Sequence, residues 1–441
     1  MLAEHAYCQA KDGYMQQVTF PGIILKELDH LGKTNTEFIE RIRPLLPSTQ
    51  ALHALLNASF YASIEREEGR ALRFVLGFAS RDRPVPPSGT NPYWSPIFFD
   101  TPRPVTVPEI IKLAPAIDDR QSFIAVDELD DEPLIWGLVR HGTEFYRFNR
   151  GEGLHSMTGE LNYFRIHALG SGILVLSADF YRFLRFRAGE IVRSGPAVLR
   201  AGAGAVFKAL YRSELNMVQY WSLESLRRIT LAMVERLHGG TIIVLPDPQL
   251  LKSKHFKRGR LALKPTNDLG DGIKRHNHAS IDRQQLWQQV MKGATDQGLK
   301  LPGQEIRLEI TSTALRDAEA FVASLSQVDG AVVLGPELEL LAFGAVINWN
   351  AERNINVKVS NDLDGTDLRD YSLADRGTRH QSAAAIADEI PGAVVIVVSQ
   401  DGEASCFLRE SSDVQHVLLW RNMRLDLYPE LHYQAEENIL S

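Results

Sequence analysis

The chain has 441 residues, of which 44% are hydrophobic and 23% are charged. This composition excludes a mainly disordered protein, and the length allows two or three domains with substantial cores. The net charge of −7 argues against a protein that coats nucleic acid, because such proteins carry a large positive charge. With Cys8 and Cys406 as its two cysteines, the chain has no disulfide framework, which favours a reducing compartment.

The N-terminal sequence and the hydropathy pattern predict a cytoplasmic protein. Residues 1–7 lack the charged and apolar regions of a signal peptide. No apolar run approaches the ~20 residues that a helix needs to cross a bilayer. We therefore expect no membrane partner, and the acidic net charge leads us to expect no nucleic-acid partner.

The first part of the chain predicts an α/β domain. Residues 19–65 carry apolar residues at helical spacing, and residues 73–78 have the pattern of a strand. Eight prolines between Pro84 and Pro108 predict an irregular surface excursion over 82–108, because proline interrupts regular hydrogen bonding. Short apolar runs then predict strands over 122–126, 134–139, 163–167 and 172–176.

This first domain, which we place at residues 1–200, contains no compact nucleophile, metal or phosphate motif. His141, His155 and His167 are candidate ligands, but scattered histidines on strands more often pack or face solvent. The sequence alone therefore predicts no chemistry for the domain.

A second domain is predicted over residues 201–426, followed by a Glu-rich tail at 427–441. A helical pattern over 195–238 carries a broad apolar stripe, which predicts a packed core helix by default. The predicted elements that follow are a strand over 241–246, helices over 282–293 and 313–326, and a last strand over 404–408.

Two further features of this domain were weighed as binding sites. The basic stretch from Lys252 to Lys264 has limited aromatic interleaving, so a solvated loop is favoured over nucleic-acid binding. His276 and His278 have a His-x-His spacing but no third or fourth ligand nearby, which makes a poor zinc candidate.

The segment from Gly377 to Ser382 predicts a phosphate cradle. Gly377-Thr378-Arg379-His380 precedes an alanine-rich run that favours helix strongly, so these residues are expected at a helix N-terminus. Free backbone N–H groups and the positive end of the helix dipole bind anions there. Arg379 adds a planar fork that suits phosphate, and Thr378 adds a hydroxyl donor. A strand is predicted to follow over 393–400.

A second motif, Asp329-Gly330-Ala331, stands at the entrance to the apolar run 331–334. A carboxylate that faces a phosphate site through a metal ion suits phosphoryl or nucleotidyl transfer. Asp-Gly is also among the commonest turn dipeptides, so the motif taken alone favours a plain turn.

Along the chain, Asp329-Gly330-Ala331 comes first, and the helix and strand that follow Gly377-Thr378-Arg379-His380 come later. This order resembles the diadenylate cyclase (DAC, DisA_N-like) domain family over roughly residues 222–426. Members of that family join two ATP molecules into cyclic di-AMP. The resemblance implies a mixed central sheet flanked by helices and a homodimer or higher oligomer with facing cyclase domains. It also implies an N-terminal sensor-like domain whose ligand is unknown, and Mg²⁺ or Mn²⁺ as cofactor.

The resemblance implies functional roles for particular residues of this chain. Asp329 is implied as the catalytic, metal-binding acid that helps activate the ribose 3′-hydroxyl. The implied substrate-binding residues are Gly330, Ala331, Val346, Gly377, Thr378, Arg379, His380, Gln381 and Ser382. Val346 falls near the adenine pocket of the family.

Two departures keep alternative functions open. Gln381 stands where the family usually has arginine, and a long connection over 348–376 brings aspartates close to the cradle. We expect a regulated diadenylate cyclase. The alternatives are a module that binds ATP or a cyclic dinucleotide without turnover and a cyclase that makes another cyclic dinucleotide.

Overall fold

The chain divides into two compact units, Met1–Tyr146 with Ser156–Val192 and Arg147–His155 with Arg193–Ser441. The computed structural model describes residues 42–67, 69–82, 95–118, 122–140, 163–170, 172–178, 181–187, 190–192, 195–211, 215–236, 238–257, 262–266, 268–291, 301–350 and 352–425, with positions 22, 24, 26–29 and 40. The predictions for His141, His155 and the tail at 427–441 lie outside these residues.

In its described residues, the first unit is built on a mixed sheet with helices packed against it. Its strands are β1 (Arg66–Glu67), β2 (Arg70–Ala71), β3 (Phe74–Phe78), β4 (Ser95–Pro104), β5 (Ser122–Leu129), β6 (Glu132–Arg140), β7 (Phe164–Gly170), β8 (Ile173–Ala178), β9 (Tyr181–Arg187) and β10 (Glu190–Val192). Among the described residues, eight strands pair in the order β10-β9-β8-β7-β3-β5-β6-β4. Helices α1 (Thr49–Ile64) and α2 (Val107–Leu113) share one buried apolar cluster with this sheet.

The four strands predicted between residues 122 and 176 are confirmed, as are the strand near 73–78 and helix over most of 49–65. Helix α1 begins after Ser48, whose hydroxyl accepts a hydrogen bond from the N–H of Ala51 at 3.2 Å. His167 lies half-buried on β7.

The predicted irregular excursion over 82–108 is wrong for its described part. Ser95–Pro104 forms the ten-residue strand β4, and α2 begins at Val107. Among the described strands, β4 lies at the edge of the sheet and pairs only with β6, with an irregularity between Phe98 and Arg103. Edge strands and bulges tolerate proline because one row of backbone groups needs no partner strand. Pro108 lies in the first helical turn, where its missing N–H costs little.

The second unit is also built on a mixed sheet, with helices on both faces. Its strands are β11 (Gly240–Val244), β12 (Ala262–Thr266), β13 (Ala331–Leu334), β14 (Leu340–Ala345), β15 (Val357–Ser360), β16 (Leu368–Tyr371), β17 (Val394–Val398), β18 (Ala404–Leu408) and β19 (Val417–Trp420). Its helices are α3 (Gly204–Leu210), α4 (Met217–Glu235), α5 (Asp268–Met291), α6 (Leu301–Leu325) and α7 (Thr378–Glu389). The described strands pair in the order β12-β14-β13-β11-β17-β18-β19-β15-β16.

Side-chain alternation along the central strands separates two apolar cores. Ile242 and Val244 of β11 face a cluster that includes residues of α4, α5 and α6. Ile243 of the same strand faces the second cluster, which includes α7. Strands that are buried on both faces require continuous apolar runs, as in residues 331–334 and 394–398. The predicted α/β class, with a mixed C-terminal sheet flanked by helices, is confirmed.

Several predicted element bounds in this unit are corrected. Residues 195–203 are not helical, and α5 and α6 are longer than the predicted helices. The strand β18 is not the last, because β19 follows it. The connection over 348–376 contains β15 and β16, whose polar and short sequences gave no strand signal. Pairing of β15 with β19 supplies the backbone partners that local sequence did not reveal.

His276, half of the His-x-His pair, lies buried on α5 with its ring edge-to-face against Trp221 of α4, at a centroid distance of 4.5 Å. Burial, and then the charges of Arg228 and Arg316, lower the pKa of His276 to about 4. The neutral imidazole is thus part of the helix packing. Among the described residues, no group of three or more His, Cys, Asp or Glu side chains is placed to hold a metal ion.

The lowered pKa of His276 predicts a pH-dependent stability. The unfolded chain binds this proton near pH 6.5 and the folded chain only near pH 4, so the contribution is present above pH 6.5 and lost as the pH falls towards 4. We expect the free energy of unfolding to fall by about 2 kcal/mol between pH 7.5 and pH 5 through this group. Urea unfolding of the wild type and His276→Phe at both pH values measures it. Equal pH dependence in the two proteins would contradict the assignment.

Candidate functional site

The strand order brings the two motifs to one edge of the second sheet. Strand β13 is parallel to β11, with Ala331 opposite Thr241. Strand β17 is antiparallel to β11, with Val398 opposite Gly240. Asp329-Gly330, just before β13, therefore lies at the same edge as the start of β11 and the end of β17. We call this edge of the sheet the motif edge.

Strand β14 also ends at the motif edge, because Ala345 pairs with Ala331. Gly330 has φ +112°, and a Cβ there would lie 2.5 Å from the carbonyl carbon of Gly344. The two glycines therefore allow a backbone approach that no side chain would permit. Asp329 is exposed beside this contact, and Val346, which is 40% exposed, follows β14 directly.

The predicted helix after Gly377 is confirmed as α7, with Gly377 at its N-cap in extended backbone geometry. The N–H groups of His380 and Gln381 donate to the carbonyl of Gly377 at 2.9 and 3.4 Å, whereas those of Thr378 and Arg379 come before any carbonyl that the helix could offer them. Thr378 is exposed at this turn, and Gly377 has open space where a side chain would stand. The segment therefore has the local geometry that was expected of a phosphate cradle. We call Gly377–Ser382 the cradle.

Arg379 links the cradle to the motif edge. A Cβ on Gly239, just before β11, would lie 2.5 Å from Nη1 of Arg379 and 3.3 Å from Cγ of Gln400. The guanidinium of Arg379 therefore lies against the start of β11 and beside the residues that follow β17. The space that Gly239 leaves for the guanidinium gave no sequence signal.

His380 is half-buried, with its ring edge-to-face against Phe407 at a centroid distance of 6.0 Å. Burial, followed by the positive charge of Arg376, lowers the pKa of His380. The imidazole is therefore neutral near pH 7. Its Nε2 is buried and has no hydrogen-bond partner within the described part of the chain.

Gln381 and Ser382 make hydrogen bonds to neighbouring backbone. The Gln381 side-chain amide donates to the carbonyl oxygens of Arg376 at 3.0 Å and Leu373 at 3.3 Å. The Ser382 hydroxyl donates to the carbonyl oxygen of Arg379 at 3.2 Å. Gln381 thus holds the loop that enters α7.

Gln381 also lines a cleft of about 870 Å³, together with Trp349 and residues of 352–357 and 370–374. That volume lies in the usual range for small-molecule sites.

Several aspartates of the 348–376 connection make hydrogen bonds or ion pairs with nearby residues. Asp362 accepts hydrogen bonds from the hydroxyl and N–H of Thr366 and from the N–H of Asp367, and these bonds hold its pKa well below the usual range. Asp364 pairs with Lys208 at 2.8 Å, and Asp370 pairs with Lys358 at 3.1 Å. These contacts show that the acids stabilise local structure. From the sequence, they were instead noted as charges that would oppose a phosphate ligand.

The basic stretch supports the end of β14. The Lys257 N–H donates to the carbonyl of Val346 at 2.9 Å, and the Asn348 N–H donates to that of His255 at 2.8 Å. His255 contacts Glu389 at the end of α7. The side chains of Lys252, Lys254 and Lys257 are exposed, as in a solvated loop, whereas Arg258 and Arg260 lie outside the described residues.

The motif edge contains further charged residues that the sequence did not single out. Glu403, in the turn between β17 and β18, is within 4.0 Å of Arg376 and 3.6 Å of Arg421. Arg421 is far from both motifs in the sequence, so no local sequence pattern indicated its position at the site. Pairing of β18 with β19 brings it to this edge.

A divalent metal fits the motif edge as a partner of one carboxylate and a phosphate ligand. Mg²⁺ is commonly held by one or two carboxylates together with substrate phosphates, so a cage of protein ligands is not required. Asp329 is exposed at this edge, where the Arg379 guanidinium also lies against Gly239.

Comparison with known protein families assigns both parts of the chain. Residues 41–140 match the family described as probable sensor domain DACNV. Residues 229–411 match the DAC family, described as DisA bacterial checkpoint controller nucleotide-binding, and this range includes both motifs. No curated protein matches the chain significantly. Across the described residues, no helix is long and apolar enough to cross a membrane. The chain therefore joins an N-terminal DACNV sensor domain to a C-terminal domain of the DAC family, the diadenylate cyclase family that its two motifs resemble.

Proposed function

We propose that the DAC domain is a nucleotidyltransferase that condenses two ATP molecules into cyclic di-AMP and two pyrophosphates. The observation that carries this proposal is the meeting of Asp329-Gly330 and the cradle at the motif edge, within the range that matches the family. In each half-reaction a ribose 3′-oxygen forms a bond to an α-phosphorus. The bond from that phosphorus to the β-bridging oxygen breaks, and the 3′-hydroxyl proton leaves to solvent.

The cradle and Asp329 have complementary roles in this proposal. The first-turn N–H groups of α7 and the Arg379 guanidinium bind the phosphate chain and stabilise the charge that develops on it. Asp329, which is exposed at the motif edge, would orient the 3′-hydroxyl and hold the metal. Mg²⁺ or Mn²⁺, held by Asp329 and the phosphates, would lower the pKa of that hydroxyl. The glycine contact keeps the Asp329 backbone close to β14 and Val346.

The proposal includes a homodimer or higher oligomer. Each DAC domain holds one ATP, so two domains must face each other for two nucleotides to react. We also propose that the DACNV domain regulates the reaction in response to a ligand, and that the protein acts in the cytoplasm.

Dependence on assembly gives a testable prediction. Specific activity should fall on dilution, because the facing pair forms by mass action. Activity per protomer should drop by about half at the concentration where sizing shows half of the protein as monomer. Constant specific activity far below that concentration would contradict the facing-site reaction.

A binding module without turnover is the second candidate function. It is favoured by Gln381, whose amide binds the loop and adds no charge to the cradle. Incubation of the full chain with ATP, GTP and Mn²⁺, followed by product identification by mass, separates the candidates. Cyclic di-AMP supports the proposed function, a guanine-containing cyclic dinucleotide supports the alternative cyclase, and unchanged nucleotides with measurable binding support the module.

The orientation of Gln381 predicts the effect of restoring the family's arginine. Gln381→Arg should leave ATP affinity within about twofold of wild type, because the side chain at 381 lies against the carbonyls of Leu373 and Arg376. A side chain that faced the phosphates would instead gain on the order of tenfold from the added charge. Calorimetric titration with a non-reacting ATP analogue distinguishes these outcomes, and tenfold tighter binding would place residue 381 at the phosphates.

A further inference from the structure

Two arginines at the motif edge share one aromatic ring and one carboxylate. The Cζ atoms of Arg376 and Arg421 lie 5.9 Å and 5.2 Å from the centroid of the Tyr371 ring. The Arg376 Nε–H donates to the Tyr371 hydroxyl at 2.8 Å. Tyr371 therefore holds both guanidinium groups near one point, through cation–π contacts and a hydrogen bond.

Glu403 neutralises this pair only in part. Its Oε2 lies 4.0 Å from Nη1 of Arg376, and its Oε1 lies 3.6 Å from Nη2 of Arg421. A charge-assisted hydrogen bond is about 2.7–2.9 Å long, so neither contact is a full one. Two cations face one carboxylate, and Oε1 is buried without a hydrogen-bond partner in the described part of the chain. The two arginines and Glu403 together carry one net positive charge, which leaves donor capacity for an anion.

The backbone fixes both arginines beside the cradle. Arg376 directly precedes Gly377, and its carbonyl accepts a bond from Gln381. Arg421 follows β19, where the Gly195 N–H donates to the carbonyl of Asn422 at 2.6 Å and the Met423 N–H donates to that of Ala404 at 2.9 Å. Burial and the charges of both arginines lower the pKa of His380 in the first turn of α7, and the charges of Glu403 and Asp401 raise it.

We propose that Arg376 and Arg421 form a second phosphate-binding subsite beside the cradle, in which phosphate oxygens take the place of the loose Glu403 contacts. The ligand class is a di- or triphosphate chain, and its identification with the terminal phosphates of ATP rests on the proposed function. Two planar forks suit two phosphate groups better than one.

Titration of the full chain with α,β-methylene-ATP and with inorganic pyrophosphate, each with Mg²⁺, tests the subsite. Arg376→Gln and Arg421→Gln should each weaken binding by about tenfold, which corresponds to about 1.4 kcal/mol. Arg369→Gln removes the same charge from an exposed position on β16 and should change affinity by less than about twofold. Circular dichroism confirms that each variant is folded.

Glu403→Gln is expected to change the affinity for phosphate ligands in the opposite direction. If Glu403 competes with phosphate for the arginines, its neutralisation should tighten binding of both probes by about threefold. A purely structural cluster would show weaker or unchanged binding in this variant. Unchanged affinity in both arginine variants, or weaker binding in Glu403→Gln, would overturn the subsite.

The two probes also separate this inference from the proposed function. Weaker binding of pyrophosphate and of the ATP analogue assigns the subsite to terminal phosphates, and weaker binding of pyrophosphate alone assigns it to the leaving group. A wild-type protein that binds both probes with these arginine effects but makes no cyclic dinucleotide would refute the proposed function and keep the subsite. A wild-type protein that binds neither probe would refute the subsite.

Discussion

Asp329→Asn should lower the rate of cyclic di-AMP formation by at least about a hundredfold, the usual effect of removing one preorganised electrostatic group from an active site. The substitution keeps the shape of the side chain and removes the charge that would hold the metal and orient the 3′-hydroxyl. Because Asp329 is exposed, the fold should not change. Steady-state product formation by chromatography, with melting temperature beside it, measures both effects.

Asp317→Asn is the matched control for this variant. Asp317 is exposed on α6, so the same charge change there should leave the rate within about twofold of wild type. A rate for Asp329→Asn that is similar to the control would remove Asp329 from the mechanism.

Glu319→Gln should have the largest effect on stability. Glu319 on α6 accepts two short hydrogen bonds from Arg228 of α4, and the two side chains are only 4% and 3% exposed. Removal of one partner of a buried ion pair leaves an uncompensated charge and costs about 3–5 kcal/mol. We expect a loss of that size in the free energy of unfolding, measured with urea on the full chain.

An exposed ion pair serves as the control for this measurement, and a double variant tests whether apolar side chains restore the stability. Glu309 lies 3.5 Å from Arg316 and is 57% exposed, so Glu309→Gln should cost less than about 1 kcal/mol. Replacement of both buried partners, Arg228→Met with Glu319→Leu, should recover most of the stability, because well-packed apolar groups substitute for a buried pair. A loss below 1 kcal/mol for Glu319→Gln would show that water reaches the pair.

The motifs were predictable because their chemistry is local. The alanine-rich run after Gly377 predicts α7, and the runs at 331–334 and 394–398 predict strands that are buried on both faces. Their meeting at one edge followed from the family resemblance. The structure supplies its physical cause, which is the pairing of β13 and β17 with opposite sides of β11.

Other parts of the fold depend on contacts between distant residues, which no local pattern reveals. Strand β4 tolerates its prolines because it occupies a sheet edge, and β15 forms because β19 lies beside it. The role of Gly239 depends on the Arg379 side chain, some 140 residues later in the chain. Arg421 reaches the motif edge only through the pairing of β18 with β19.

The proposal that the DAC domain condenses two ATP molecules into cyclic di-AMP is tested most directly by the stoichiometry of the reaction. Purified full-length protein is incubated with ATP and Mn²⁺, and pyrophosphate and nucleotide products are quantified while their masses are determined. The account predicts cyclic di-AMP as the product, with one pyrophosphate released for each ATP consumed and a rate at least about a hundredfold lower for Asp329→Asn. Release of inorganic phosphate with ADP, or complete absence of a cyclic dinucleotide from a folded, ATP-binding wild-type protein, would contradict it.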